Sequence, residues 1–234
     1  MQINSQVFFF IIVFTIGSII ASFLNVVAKS VPIRENWWSR RSCCPYCKQI
    51  LTPKELIPIF SFVVQLGRCK FCLAKISPLY LLAEIVGGCL FLLPLFIHDA
   101  THLEMIHAWI FFALLLTVSL TDLYYQLIPN KILIFFAVIL LLTGGSVIVG
   151  LIGFSFFYAT AILGKYLFKK ETIGGGDIKL YFVVGLVLTL QELFLAILIS
   201  SGAALVFVLL VDKKKTIPFA PFISLGALIA FLFG

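Results

Sequence analysis

Long apolar runs separated by short polar breaks set the pattern of this chain. Residues 7–28 hold only small or weakly polar interruptions, among them Thr15, Gly17, Ser18 and Asn25. A helix needs about 20 predominantly apolar residues to cross the hydrocarbon of a bilayer. Eight segments approach that requirement: 7–28, 79–97, 103–121, 131–142, 146–168, 178–190, 193–211 and 217–233. The fourth and sixth are short and borrow flanking residues. The stretch 131–168 is continuously apolar but too long for one crossing, and Thr143-Gly144-Gly145-Ser146 supplies the turn that divides it. The single long polar stretch is 29–78. The pattern predicts an all-α polytopic membrane protein of about eight transmembrane helices. Its parts are a first helix over 1–28, a cytosolic loop domain over 29–78 and a membrane core over 79–234.

Composition agrees, with 62% of residues hydrophobic, more than a soluble domain of this length could bury. The first segment is longer than a signal-peptide core and lacks a basic leading region, so it reads as a retained helix. The net charge of +7 does not point to nucleic acid, because membrane proteins gather Lys and Arg on the cytoplasmic side. With the N-terminus outside and eight crossings, the inward connections are 29–78, 122–131, 165–179 and 212–216. Every Lys and Arg lies in one of them. The outward connections hold His98, Asp99, His102, Glu104, Gln191 and Glu192. Six or seven crossings would put Lys169-Lys170 or Lys213-Lys214-Lys215 outside. The expected arrangement is therefore a multi-pass membrane protein with both termini outside.

The polar loop carries Cys44-Pro-Tyr-Cys47 and Cys69-Lys-Phe-Cys72, 21 residues apart. Two Cys-x-x-Cys knuckles complete a tetrahedral thiolate site for zinc. A cytosolic loop is a poor place for disulfides, and the βαβ setting of a thioredoxin-like redox motif is missing. The expected role of Zn2+ is structural, since a loop this small lacks a core of its own. Cys43 is spare, and Cys89 reads as a packing residue in the second span.

Two aspartates stand at the cytoplasmic ends of spans: Asp122 after the third, and Asp177 in Gly174-Gly175-Gly176-Asp177-Ile178-Lys179. A lone helix-end carboxylate is ordinarily just solvated. Here the end of a helix disfavours an anion at Asp122. Three successive glycines cost helix stability unless the backbone must bend or come close to something. Two neighbouring carboxylates share a proton and can divide acid and base roles in hydrolysis. Helix polarity assigns the proton to Asp122 and the anion to Asp177. The sequence contains neither His-Glu-x-x-His nor Gly-x-Ser-x-Gly, and His98, His102 and His107 read as interfacial residues.

Taken together, these motifs resemble the bacterial type IV prepilin peptidases, bifunctional leader peptidase/N-methyltransferases among the Gly-x-Gly-Asp intramembrane aspartic proteases. The resemblance rests on Gly17-Ser18 with residues 21–27, the two cysteine knuckles with Gly67-Arg68, and Ile76-Ser77-Pro78 with Glu84. It continues through Asp122 with Ile128-Pro129-Asn130, residues 174–179, and residues 217–222, where Ala220 stands in place of the family's frequent Gly. It implies an aspartic endopeptidase of the bacterial cytoplasmic membrane with Asp122 and Asp177 catalytic. Its substrates would be prepilin or pseudopilin precursors, with a basic leader ending in Gly ahead of a hydrophobic helix, cut on the cytosolic side. It also implies methylation of the new N-terminus from S-adenosylmethionine, with the cysteine loop as the part that adds this activity. No glycine-rich nucleotide fingerprint accompanies it.

The candidate substrate-binding residues are Gly174, Gly175, Gly176, Lys179 and Glu84. Glu84 is an intramembrane carboxylate, equally read as a helix-packing hydrogen bond. Lys179 does not share the helix face of Asp177 and suits a lipid phosphate. The nine basic residues of the loop suit anionic headgroups, and Trp37-Trp38 an interfacial anchor or a substrate contact. Pro129, Pro218 and Pro221 read as helix starts. The rival reading is a transporter or channel with Glu84, Asp122 and Asp177 as an ion pathway. It is disfavoured because both aspartates lie at one face and no inverted repeat appears.

Overall fold

The computed structural model describes residues 2–35, 41–97, 101–169, 173–210 and 217–234. Trp37, Trp38, His98, Asp99, Lys170 and Lys213 to Lys215, to which the sequence assigns interfacial or topological roles, lie outside the described residues. Among the described residues the chain is helical and has no strand beyond two isolated bridge pairs. The helices are α1 (Gln2–Ser30), α2 (Phe60–Val64), α3 (Pro78–Leu92), α4 (His102–Tyr125), α5 (Asn130–Leu142), α6 (Val147–Phe168), α7 (Gly175–Gly185), α8 (Leu190–Leu210) and α9 (Ala220–Phe233). Two compact units divide the chain, Met1–Met105 and Ile106–Gly234.

In the first unit α1 lies along α3. The seam is built from small residues, which let two backbones approach in lipid. A Cβ on Gly17 would come within 2.6 Å of the Phe91 Cβ, and one on Gly88 within 2.7 Å of the Ser18 hydroxyl. At the loop end of the seam, Lys29 Nζ donates to the Tyr80 hydroxyl at 2.6 Å and stands 3.9 Å from the Tyr80 ring centroid. Ser77 caps α3 through Leu79 N–H, and Pro78 occupies its first turn, where no N–H is needed.

In the second unit α6 packs on α7 and α8 on α9. The turn expected at residues 143–146 is present. Gly144 adopts φ 108, a left-handed value that favours glycine, and Ser146 N–H donates to the Leu186 carbonyl at 2.7 Å. Gly185 lies so close to α6 that a Cβ there would meet the Gly150 Cα at 2.8 Å. α7 ends there rather than continuing to residue 190, because Leu186 already spends its carbonyl on the turn before α6.

Among the described residues five helices are long and apolar enough to cross a membrane: Gln6–Ser30, Pro78–Phe96 (α3 with the tight turn that follows it), His102–Tyr125, Val147–Phe168 and Leu190–Leu210. The protein is thus a multi-pass, all-helical membrane protein. α5, α7 and α9 have 13, 11 and 14 residues. At 1.5 Å per residue these are about 20, 17 and 21 Å long, well short of a hydrocarbon layer of about 30 Å. Helix length alone supports five crossings rather than eight.

Candidate active site and metal centre

The two cysteine knuckles fold alike. In each, the first cysteine receives a backbone bond from four residues on: Lys48 N–H to the Cys44 carbonyl, and Leu73 N–H to the Cys69 carbonyl, both at 2.9 Å. In each, the residue after the second cysteine turns left-handed, Lys48 at φ 59 and Leu73 at φ 58. Bridge pairs Cys43–Ile50 and Arg68–Lys75 close the two loops. The spare Cys43 therefore belongs to a bridge, next to the thiol cluster.

The four sulfurs converge from these two loops. Cys44 and Cys72 Sγ are 3.8 Å apart, Cys47 and Cys69 Sγ 4.0 Å, and all four lie within 4.8 Å of one another. A tetrahedron of Zn–S bonds about 2.3 Å long has edges of about 3.8 Å, so the cluster has the dimensions of a closed tetrathiolate zinc site. Burial opposes ionisation of Cys44, but backbone N–H groups of Cys47 and Tyr46 bring its thiol down to about 7. These donors favour the thiolate form that a cation would require.

Glu84, in α3, is buried and does something the sequence did not specify. Its Oε2 accepts the backbone N–H of Ile59 at 2.8 Å. Ile59 has φ 63, an uncommon value for a β-branched residue, directly ahead of α2. The carboxylate therefore fastens the cysteine-bearing loop to a membrane helix. This geometry is nearer the packing alternative than a substrate contact.

Asp122 does not follow the third span. α4 runs on to Tyr125, so Asp122 lies inside its final turn and is 6% exposed. Its Oδ2 accepts the N–H of Ala220 at 2.8 Å, and the Phe219 N–H lies near the same carboxylate. Both donors stand at the start of α9, where N–H groups lack partners within the helix and the macrodipole is positive. The α9 N-terminus stands opposite the C-terminus of α4 here, so helix polarity by itself does not assign the proton between Asp122 and Asp177. Ser119 and Ser224 hydroxyls, 2.9 Å apart, tie α4 to α9 one turn further into the unit.

The sequence after α4 brings Asp177 close. Gln126, at φ 51, returns its N–H to the Asp122 carbonyl at 2.8 Å. The chain reverses, buries Ile128 and restarts as α5 behind Pro129. Ile128 lies against the beginning of α7: a Cβ on Gly176 would stand 3.1 Å from the Ile128 Cβ. A Cβ on Gly174 would stand 3.2 Å from Asp177 Oδ2, whereas one on Gly175 meets nothing within 4 Å. A side chain at either of these two glycines would crowd its neighbour by a few tenths of an ångström. We expect Gly175→Ala to retain activity and Gly176→Val to lose it by about a hundredfold, because a displacement of about 1 Å at a reacting group has that cost. Initial rates on one substrate check this.

Asp177 stands in the first turn of α7, within electrostatic reach of Asp122. One turn on, Tyr181 is fully buried, stacked on Phe157 at 3.7 Å between ring centroids, with its hydroxyl 2.8 Å from Ser200 Oγ. These contacts hold α7 against α6 and α8. Lys179 is exposed and donates to Asn130 Oδ1 at 3.0 Å. The structure thus joins Asp122, Asp177, Gly174 and Gly176 in one site, leaves Gly175 open, and places Lys179 on the outer rim of α7. Sequence reasoning missed Phe219 and Ala220, whose backbone groups act. The available signal was the Pro218–Pro221 pair opening an apolar helix on the same face as Asp122.

Residues 15–98 match the model of the bacterial peptidase A24 N-terminal domain, and residues 109–209 that of the type IV leader peptidase family. A prepilin leader peptidase/N-methyltransferase of Bacillus subtilis (strain 168) is 39% identical over 95% of this chain and 94% of its own length. One of Aeromonas hydrophila is 31% identical over 97% of this chain and 91% of its own. A type 4 prepilin-like proteins leader peptide-processing enzyme of Escherichia coli O78:H11 is 29% identical over 91% of this chain and 89% of its own. No solved structure matches the chain.

Proposed function

The chain belongs to the type IV leader peptidase family, and from that premise we propose that it hydrolyses the leader bond of prepilin-like precursors with Asp122 and Asp177 as the catalytic pair. What supports this reading is that Asp177 of α7 lies within electrostatic reach of Asp122 of α4, whose carboxylate accepts a backbone N–H from the start of α9. We assign the anion to Asp122, whose Oδ2 accepts the Ala220 N–H, so that it takes the proton from water. Asp177, desolvated and facing that charge, keeps the shared proton and gives it to the carbonyl oxygen of the scissile bond. Hydroxide adds to the carbonyl carbon. The C–N bond then breaks as the proton held on Asp122 goes to the departing amine, and one hydroxyl of the gem-diol returns its proton to Asp177 as the new carboxyl forms. This exchanges the two roles that helix polarity had assigned.

The Ala220 N–H is part of this chemistry. Ala220→Pro removes it and should lower the cleavage rate about 10- to 100-fold, the value of a hydrogen bond to a charged group. Ala220→Gly keeps the donor and should keep the rate.

The topology we favour has eight crossings, with α5, α7 and α9 completed by flanking residues and both termini outside. The distribution of Lys and Arg supports it. Residues 29–78 then form a cytosolic domain around zinc held by Cys44, Cys47, Cys69 and Cys72, beside anionic lipid. When bound, the metal supplies cross-linking of the two knuckles, and four thiolates leave it no open position for substrate. The relatives' names include N-methyltransferase, and we extend that activity to this chain, with S-adenosylmethionine as donor. Purified protein mixed with a prepilin precursor should release a shortened product. An intact precursor, or equal cleavage by Asp177→Ala, would contradict the reading.

A further inference from the structure

On the second unit a groove of about 460 Å³ opens between α5, α6 and α7. Leu133, Ile134, Ala137, Phe154, Phe182 and Val183 form most of its wall. Its polar members are Asn130 and Lys179, which stand together at the end where α5 and α7 both begin. Lys179 Nζ uses one N–H on the Asn130 side chain, a neutral partner. No carboxylate pairs with it among the described residues, and the side chain is exposed. Those helices are apolar, so the occupant of the groove comes from the bilayer.

We propose that this groove is a binding site for one phospholipid, its acyl chain along the apolar wall and its phosphate on Lys179 and Asn130. An apolar slot with a cation and an amide at one end is complementary to an amphiphile with an anionic head. The prepilin helix fits less well. By the functional reading it would present its N-terminus at this boundary, behind a basic leader, and both are positive. Lys179 would repel them. A neighbouring apolar patch of Ile148, Leu151, Ile152, Ser155 and Phe156, which shares Leu151 with the groove, has no cation and serves as the comparison surface. A phosphate at Lys179 would stand two residues along α7 from Asp177, so the lipid becomes part of the electrostatic surroundings of that carboxylate.

The test is native mass spectrometry of the full chain in mild detergent, titrated with phosphatidylglycerol, with lipid retention rather than peptide cleavage as the readout. One lipid should be held in preference to others. Lys179→Gln should weaken it about tenfold, the loss of one charge-assisted hydrogen bond. Lys179→Arg should keep it, Ala137→Trp should expel it by filling the groove, and Ser155→Trp should leave it unchanged. Free glycerol 3-phosphate should not compete, because it lacks the chain. Equal retention by Lys179→Gln and the native chain would overturn the proposal. So would displacement of the lipid by a prepilin segment that cross-links to position 137, which would assign the groove to substrate. The result stands or falls whether or not the chain cleaves prepilin.

Discussion

Asp122→Asn and Asp177→Asn each slow cleavage of a prepilin precursor by about a thousandfold, within the range of about 10²–10⁴ for the loss of a general acid or base. The double variant is no slower than the slower single one, because removing either carboxylate already dissolves the unit. The two single variants differ in a way that reports their roles. Asn at 177 still donates a hydrogen bond to a carbonyl oxygen but supplies no proton. Asn at 122 turns the acceptor of the Ala220 N–H into a side chain that meets it only through its carbonyl oxygen. We therefore expect Asp122→Asn to have the larger effect. Single-turnover rates, with helical content measured alongside, give the comparison.

Removal of the metal has the second large effect, and it is local. The cysteine loop has two bridge pairs, one turn of helix before α2, and little buried apolar surface beyond Cys44 and Cys69. Apparent binding free energies of structural zinc are about 10–16 kcal/mol, more than such a loop gains from its own contacts. A strong chelator, or Cys47→Ser, should expose residues 41–76 to protease while leaving total helix content nearly unchanged. The α1–α3 seam and the Lys29–Tyr80 contact do not include the metal. Leader cleavage should persist while methylation of the product is lost. Limited proteolysis and product mass, measured with zinc removed and restored, check both halves.

Among the described residues the hydrophobic pattern alone located every long helix, because in lipid a backbone has few alternatives to being helical. It also found the turn at Gly144, since only an apolar run too long for one crossing needs such a break. Helix ends were less legible. The sequence stops the third span at Thr121 because an aspartate looks like a helix end. The structure carries α4 to Tyr125, since Asp122 has partners on another helix and can stay inside. The sixth span was read to residue 190, but packing against Gly150 and the turn before α6 end α7 at Gly185.

The site shows the same division. Asp122, Asp177 and the four metal-binding cysteines were visible as residue types in telling places. Glu84 was visible as a buried carboxylate, but its partner is a backbone N–H of Ile59, 25 residues away, and no side-chain pattern announces a main-chain donor. The same holds for Phe219 and Ala220. Their side chains say nothing about Asp122, and the interaction depends on where α9 starts. Gly175 errs in the opposite direction: it belongs to a conspicuous glycine run, yet only its neighbours on either side are crowded.

The central claim, that α4 and α7 bring two distant acids to one water, is tested most directly by trapping them together. The Asp122→Cys/Asp177→Cys double variant in membranes should form a 122–177 link with a short thiol reagent, identified by peptide mass. The Ser119→Cys/Ser224→Cys variant, whose native hydroxyls are 2.9 Å apart, serves as the positive control. A link at both pairs is the predicted result. A link at the control pair with none between positions 122 and 177, with or without bound precursor, would contradict the account.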